Sequence, residues 1–149
     1  MENFFDISQF DSYKEDNRRE VKRANGGLPN DMWETYSAYA NTYGGVIILG
    51  VKELDDKHWR TTGLKLKDKE KLLDDLWNLL HNRNKVNINL LTESDVQTYD
   101  VGEDIIIVII VITVPMAKYN GSVVKTKGRD DRDVELFSWD SCIRRLSRD

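Results

Sequence analysis

The chain has 149 residues, the size of one domain, and 40% of them are hydrophobic against 32% charged, which indicates a folded chain rather than a disordered one. Its net charge of −4 excludes a generally basic nucleic-acid binder, so any phosphate-binding face must be locally basic. Cys142 is the only cysteine, which excludes an intrachain disulfide and any CxxC-type zinc or redox motif.

The sequence also bears on location. The first residues lack the basic region and the long apolar stretch of a signal peptide. The most apolar run, from Ile105 to Val114, has about ten residues, roughly half of what a helix needs to cross a bilayer. We therefore expect a cytoplasmic protein with no membrane partner.

In the first half of the chain, the pattern predicts an arm, a short strand, a helix and a buried strand. Residues 1–14 mix aromatic and polar positions with the spacing of a short helix or packed arm, and Glu20 to Lys22 fit a short strand. Asn30 is placed to cap a helix over residues 31–43 that ends at a Gly-Gly pair. The β-branched run from Val46 to Val51 predicts a central strand buried on both faces, which Trp59 to Thr62 would join after a polar turn.

The second half predicts one strong helix, several strands and a closing helix. A leucine stripe over residues 67–82, with charges on the opposite face, is typical of an amphipathic helix. The predicted strands are 86–91, 97–101, 105–114 and 122–127, and a last helix covers 138–149. This order predicts an α+β fold, with a mixed β-sheet and helices packed against it, in a single domain over residues 1–149.

One segment is more specific than these periodicities. It contains Glu15, then Glu20-Val21-Lys22, then Leu28-Pro29, and finally the run from Ser37 to Val51, with Asn41-Thr42-Tyr43-Gly44-Gly45 at its centre. These residues resemble the Schlafen AlbA-type (AlbA_2) family of DNA-binding domains. Val114-Pro115 and Lys125-x-Lys127-Gly128 extend the resemblance, which covers most of residues 15 to 130. Val21 and Tyr39 depart from it, since they stand where the family usually has Phe.

The helix-end signature has a structural explanation of its own. Small residues such as Ala38 and Ala40 allow a helix to approach a sheet closely, and the amide of Asn41 can bond to backbone near the helix end. Gly44 and Gly45 permit an abrupt turn into the next strand. We therefore interpret this segment as a packing and capping device rather than a ligand contact.

Three glutamates form the candidate catalytic and metal-binding set. The resemblance places Glu15, Glu20 and Glu53 where nuclease-active Schlafen proteins have three carboxylates, and such oxygen ligands suit Mg²⁺ or Mn²⁺ in phosphodiester hydrolysis. Lys52-Glu53 replaces the Asp-rich pair that often follows Gly-Val in the family. The alternative is a solvated acidic surface whose carboxylates pair with nearby basic residues.

The candidate nucleic-acid-binding residues are basic. They are Lys22, Arg23, Lys125, Lys127 and Arg129. Lys125 and Lys127 lie two apart, so they would share one face of a strand and contact phosphates without selecting a sequence. The alternative is ordinary surface charge. Trp59 and Trp139 could stack on bases, although aromatic residues in a domain of this size usually lie in the core.

Three functions follow in order of preference. The first is a nucleic-acid-binding domain of a transcriptional regulator, with DNA preferred to RNA and no cofactor required. The second is a metal-dependent endoribonuclease that uses Mg²⁺ or Mn²⁺ at the three glutamates. The third is a protein-interaction or dimerisation module, for which a homodimer is the simplest form.

Overall fold

A four-stranded mixed sheet lies at the centre of the computed structural model, which describes residues 5–114 and 124–126. The described elements are, in chain order, a 3-10 helix (Ile7–Ser12), β1 (Arg19–Lys22), α1 (Met32–Ala40), β2 (Gly45–Leu49), β3 (Val51–Glu53), β4 (Trp59–Thr61), α2 (Leu66–Leu80), a second 3-10 helix (Glu93–Asp95), β5 (Val96–Val101) and β6 (Asp104–Val111). Among the described strands the order is β1-β2-β6-β5, in which β1 and β2 are parallel and the other neighbours are antiparallel. The predicted α+β class is confirmed.

The two faces of this sheet are covered by different layers. On one face, Ile47 of β2 and Ile109 of β6 pack against α1 and α2. On the other, Val46 and Ile48 pack against the N-terminal arm and the β3–β4 hairpin. Because successive side chains of a strand point to opposite faces, β2 and β6 must be apolar at nearly every position, which is why both appear in the sequence as unbroken apolar runs.

The turn from α1 into β2 depends on glycine. The backbone of Gly44 has a φ of +76°, and its N–H donates to the carbonyl of Tyr39 at 2.8 Å. At Gly45 a β-carbon would stand 2.7 Å from ring atoms of Tyr39, a distance that no real contact tolerates. The predicted helix stop at this pair is therefore confirmed in kind, although α1 ends earlier, at Ala40.

The apolar run after this turn is divided. Gly50 has a φ of +91° and ends β2 at Leu49, so Val51 begins β3. The predicted partner segment does pair with it: β4 runs antiparallel to β3 in a separate two-stranded sheet. A single strand from Val46 to Val51 was wrong because glycine at this φ redirects the chain.

The strongest helix prediction is confirmed. In α2, Leu72, Leu76 and Leu80 are buried at four-residue spacing, and the helix covers Leu66–Leu80 rather than 67–82. In the part of the predicted N-terminal arm that the structure describes, Phe5 and Phe10, the latter within the 3-10 helix, are buried against the sheet.

Three local predictions were wrong. Residues 86–91 do not form a strand, because only Val86 makes an isolated bridge, to Thr126. The long strand β6 ends at Val111 rather than Val114. The residue at the N-cap of α1 is Asp31, not Asn30, and it makes no capping bond from its side chain. The predicted last helix, at 138–149, and most of the predicted strand at 122–127 lie outside the described residues.

Candidate functional site

The three candidate glutamates lie close to one another along the outer edge of β1. Glu20 belongs to β1, Glu15 precedes it, and Glu53 ends β3. One oxygen of Glu53, Oε2, accepts the backbone N–H of Glu15 at 2.6 Å and the indole N–H of Trp59 at 3.1 Å. The Oε2 of Glu15 in turn accepts the N–H of Val21 at 3.2 Å. Sequence resemblance thus grouped three residues that the fold does bring together.

The electrostatics of Glu15 reflect this grouping. Partial burial of its carboxyl raises its pKa above the ordinary value, and the charges of Glu20 and Glu53 raise it further. The hydrogen bond from the N–H of Val21 and the charge of Lys22 act in the opposite direction. A raised pKa means that the folded protein disfavours the ionised form of Glu15.

The three glutamate side chains are not arranged to ligate one metal ion. Glu20 has its Oε1 3.4 Å from the ammonium of Lys22 and its Oε2 3.4 Å from the hydroxyl of Thr35. Within residues 5–114 and 124–126, no group of three or more His, Cys, Asp or Glu side chains is arranged to hold a metal ion. Carboxylate oxygens are the ligands that Mg²⁺ and Mn²⁺ prefer, but these three glutamates turn oxygens toward donors of the protein itself rather than toward one point.

Lys22 is held inside this cluster rather than displayed on the surface. Its ammonium lies 3.0 Å from Asp31 and 3.4 Å from Glu20, and its side chain is only 13% exposed. A lysine placed between two carboxylates is already neutralised. It therefore has little charge to offer to a phosphate.

The other candidate cations are placed differently. Arg23 follows β1 and is exposed, and within the described part of the chain its side chain has no ion-pair partner. Lys125 is exposed beside Asn87. Its backbone N–H donates to the side-chain oxygen of Asn87 at 2.6 Å, and its carbonyl accepts the backbone N–H of Asn87 at 3.1 Å. Lys127 and Arg129 lie outside the described residues. The structure thus distinguishes Lys22, whose side chain is largely buried beside two carboxylates, from Arg23 and Lys125, whose side chains are exposed.

Asn41 has the structural role that its position suggests, but its partner is distant in sequence. Its amide donates to the carbonyl of Val124 at 2.9 Å and accepts the N–H of Val124 at 2.7 Å. The predicted bond to backbone near the helix end was wrong, since this bond joins α1 to a segment 83 residues later.

Among the aromatic residues, Trp59 lies in the core as expected, Trp139 lies outside the described residues, and Tyr43 is exposed. Trp59 is buried against Phe10 and Tyr13 of the N-terminal arm, so it does not present its ring to a base. Tyr43 falls within the predicted helix over residues 31–43, but it lies beyond the end of α1 and is 69% exposed. Its position directly before Gly44-Gly45, where the chain turns, was the signal that it could lie outside the helix.

Comparison with known proteins identifies a family and a similar solved structure. The sequence profile of the Schlafen AlbA_2 family matches residues 12–135. The chain is also similar to the solution structure of the N-terminal domain of a RecG-related protein from Nitrosomonas europaea, with 26% identity and a TM-score of 0.57 over 76% of this chain and 74% of that one. No curated protein matches the chain significantly. None of the described helices is long and apolar enough to span a membrane. The chain belongs to the Schlafen AlbA_2 family.

Proposed function

We propose that this chain is a nucleic-acid-binding domain whose ligand is DNA. The observation that carries the proposal is the family membership together with the likeness to a domain of a RecG-related protein, which is named for its relation to an ATP-dependent DNA helicase. By the habit of the family, we further propose that the domain serves a transcriptional regulator. Binding itself requires no cofactor in this proposal.

The described surface supports a phosphate contact at Arg23 and Lys125. Both side chains are exposed, whereas the side chain of Lys22 is only 13% exposed. Phosphate contacts require accessible positive charge, and they give affinity without base selection. We include Lys127 and Arg129 in the proposed contact set, because the resemblance places them in the same basic segment.

The experiment measures the affinity of labelled duplex and single-stranded DNA by fluorescence anisotropy over a range of salt concentrations. For the double variant Arg23→Ala/Lys125→Ala, we expect weaker binding to every sequence and a log–log salt slope that is less steep by about two units, roughly one for each lost contact. Lys67→Ala, on the exposed part of α2, removes one positive charge outside the proposed interface and is the control for each of the two charges removed. An unchanged slope in the double variant would remove these two residues from the interface.

A metal-dependent endoribonuclease is the second candidate, because Glu20 and Glu53 raise the pKa of Glu15 and are therefore within electrostatic reach of it. Three carboxylates would supply the oxygen ligands for Mg²⁺ or Mn²⁺. The arrangement described above does not aim them at a common point, so we rank this function below binding.

A cleavage assay separates the two functions. Labelled tRNA, single-stranded DNA and duplex DNA are incubated with the protein in Mn²⁺, in Mg²⁺ and in chelator, beside Glu20→Gln and the α2 surface control Glu70→Gln. We expect no metal-dependent cutting by any of these proteins. Cutting that requires metal and is lost in Glu20→Gln alone would instead establish the nuclease.

A further inference from the structure

Two of the exposed apolar side chains lie at the same end of the sheet. Tyr43 is 69% exposed and Ile112 is 41% exposed. Tyr43 lies two residues before the first residue of β2, and Ile112 immediately follows β6, which pairs with β2 in the antiparallel sense. A β-carbon on Gly44 would stand 3.6 Å from the Cα of Ile112, so the two chain segments are in direct contact there.

The backbone that carries Tyr43 is fixed on both sides. Nη2 of Arg18 donates to the carbonyl of Tyr43 at 3.1 Å, and the hydroxyl of Thr113 donates to the carbonyl of Thr42 at 3.1 Å. The N–H of Gly44 is bonded to Tyr39. Arg18, Tyr43 and Ile112 thus lie near one another in the chain segments that adjoin the ends of β1, β2 and β6. Because the backbone at Tyr43 is already fixed, little further ordering of the chain is needed when its exposed ring meets a ligand.

The exposed area of this patch limits the kind of ligand that it can bind. A stable protein interface needs about 800 Å² from each partner, whereas one aromatic side chain offers roughly 150–250 Å². Tyr43 and a partly exposed isoleucine fall well short of a protein interface, but they match the single face of one nucleobase. The guanidinium of Arg18, whose Nη2 donates to the Tyr43 carbonyl, places a positive charge at the same end. An aromatic face next to a cation is the combination that binds unpaired bases.

We propose that Tyr43 is a stacking platform for an unpaired base of single-stranded nucleic acid, with Ile112 extending its apolar surface and Arg18 beside it. This inference rests on the proposed function and adds the strandedness of the ligand. A base in a duplex is already stacked between its neighbours, so the platform favours single strands or frayed ends over intact duplex.

The test compares Tyr43→Ala with Tyr43→Phe, which keeps the ring, and with Leu66→Ala, which removes an apolar side chain that is 55% exposed at the start of α2. Anisotropy is measured with a labelled oligothymidylate of about 16 nucleotides, with an abasic strand of the same length, and with duplex DNA. Circular dichroism and sedimentation velocity of each variant report folding and oligomeric state.

We expect Tyr43→Ala to bind oligothymidylate about 5- to 150-fold more weakly, the range that loss of one stacked base produces. Its affinity for the abasic strand and its salt slope should stay unchanged, because a neutral ring releases no counterions. Tyr43→Phe and Leu66→Ala should bind like the unchanged chain.

The contrary outcomes are distinct. Equal loss on oligothymidylate and on the abasic strand would show that Tyr43 does not stack on bases. Unchanged oligothymidylate binding with a dimer that dissociates in Tyr43→Ala would assign the patch to a second copy of the chain. If the unchanged protein binds none of the three probes, the proposed function itself fails, whereas tight binding that is indifferent to Tyr43 overturns only the stacking platform.

Discussion

At the scale of single residues, Glu15 is the most informative. Its carboxyl caps the N–H of Val21 on the open edge of β1 while facing the charges of Glu20 and Glu53. An edge strand with unpaired N–H groups invites pairing with other chains, and a charged side chain at the edge prevents it. Resemblance located these glutamates correctly as a group, but sequence could not show that their oxygens bond to the protein's own donors.

The raised pKa of Glu15 gives a pH-dependent prediction. Because the folded state holds a proton on this carboxyl more tightly than the unfolded state does, the group contributes less to stability as pH rises from the ordinary value of 4.5 through the raised folded pKa. Glu15→Gln, whose amide oxygen still accepts the N–H of Val21, should be more stable than the unchanged chain at neutral pH. The advantage should fade in acid, where Glu15 is protonated.

Urea denaturation at a series of pH values measures this difference, with the exposed α2 residue Glu70→Gln as the control. The free energies of unfolding of Glu15→Gln and of the unchanged chain could differ by the same amount at pH 7 and at a pH below the ordinary pKa of Glu15. That result would contradict the assigned electrostatics.

At the scale of elements, the strand predicted over residues 86–91 shows why a sequence pattern can mislead. The segment 86–91 has alternating burial, with Val86, Ile88 and Leu90 inside, which is why its sequence predicts a strand. Part of its backbone bonds instead to a side chain: the hydroxyl of Tyr36 donates to the carbonyl of Ile88 and accepts the N–H of Leu90. Alternation in a sequence reports which side chains are buried, not which partner the backbone finds. By contrast, α2 and most of β6 were predicted well. A leucine stripe specifies a helix, and a long β-branched run specifies a buried strand.

Asn41 provides the element-scale prediction. It satisfies both the N–H and the carbonyl of buried Val124, so Asn41→Ala would leave two buried backbone groups without a partner. At about 1–3 kcal/mol for each unsatisfied group, we expect a loss of roughly 2–6 kcal/mol in the free energy of unfolding. The exposed Asn84→Ala should cost less than about 0.5 kcal/mol.

Hydrogen exchange of the Val124 amide is the specific readout of that contact, because it should lose protection in Asn41→Ala and keep it in Asn84→Ala. Unaltered protection at Val124, or a loss of stability no larger than that of the surface control, would show that this pair does not fasten the 124–126 segment to α1.

At the scale of the whole molecule, the layered sheet was predictable and the binding surface was only partly so. The central positions of β2 and β6 follow from their continuous apolar sequence. The separation of Lys22 from the exposed cations does not, because the ion pair with Asp31 joins β1 to the start of α1 and depends on tertiary packing. Tyr43 was missed for the same reason: an aromatic at helical spacing is buried or exposed according to where the helix ends.

The measurement that tests nucleic-acid binding most directly is the affinity of the unchanged chain for DNA as a function of salt. For a chain of net charge −4, binding through a locally basic face predicts a log affinity that falls linearly with log salt, at about 0.9 units for each phosphate contact on duplex and about 0.7 on single strands. Saturable binding at low salt with such a slope is the expected result. No binding of duplex or single-stranded DNA at low salt, or binding that is insensitive to salt, would contradict the account.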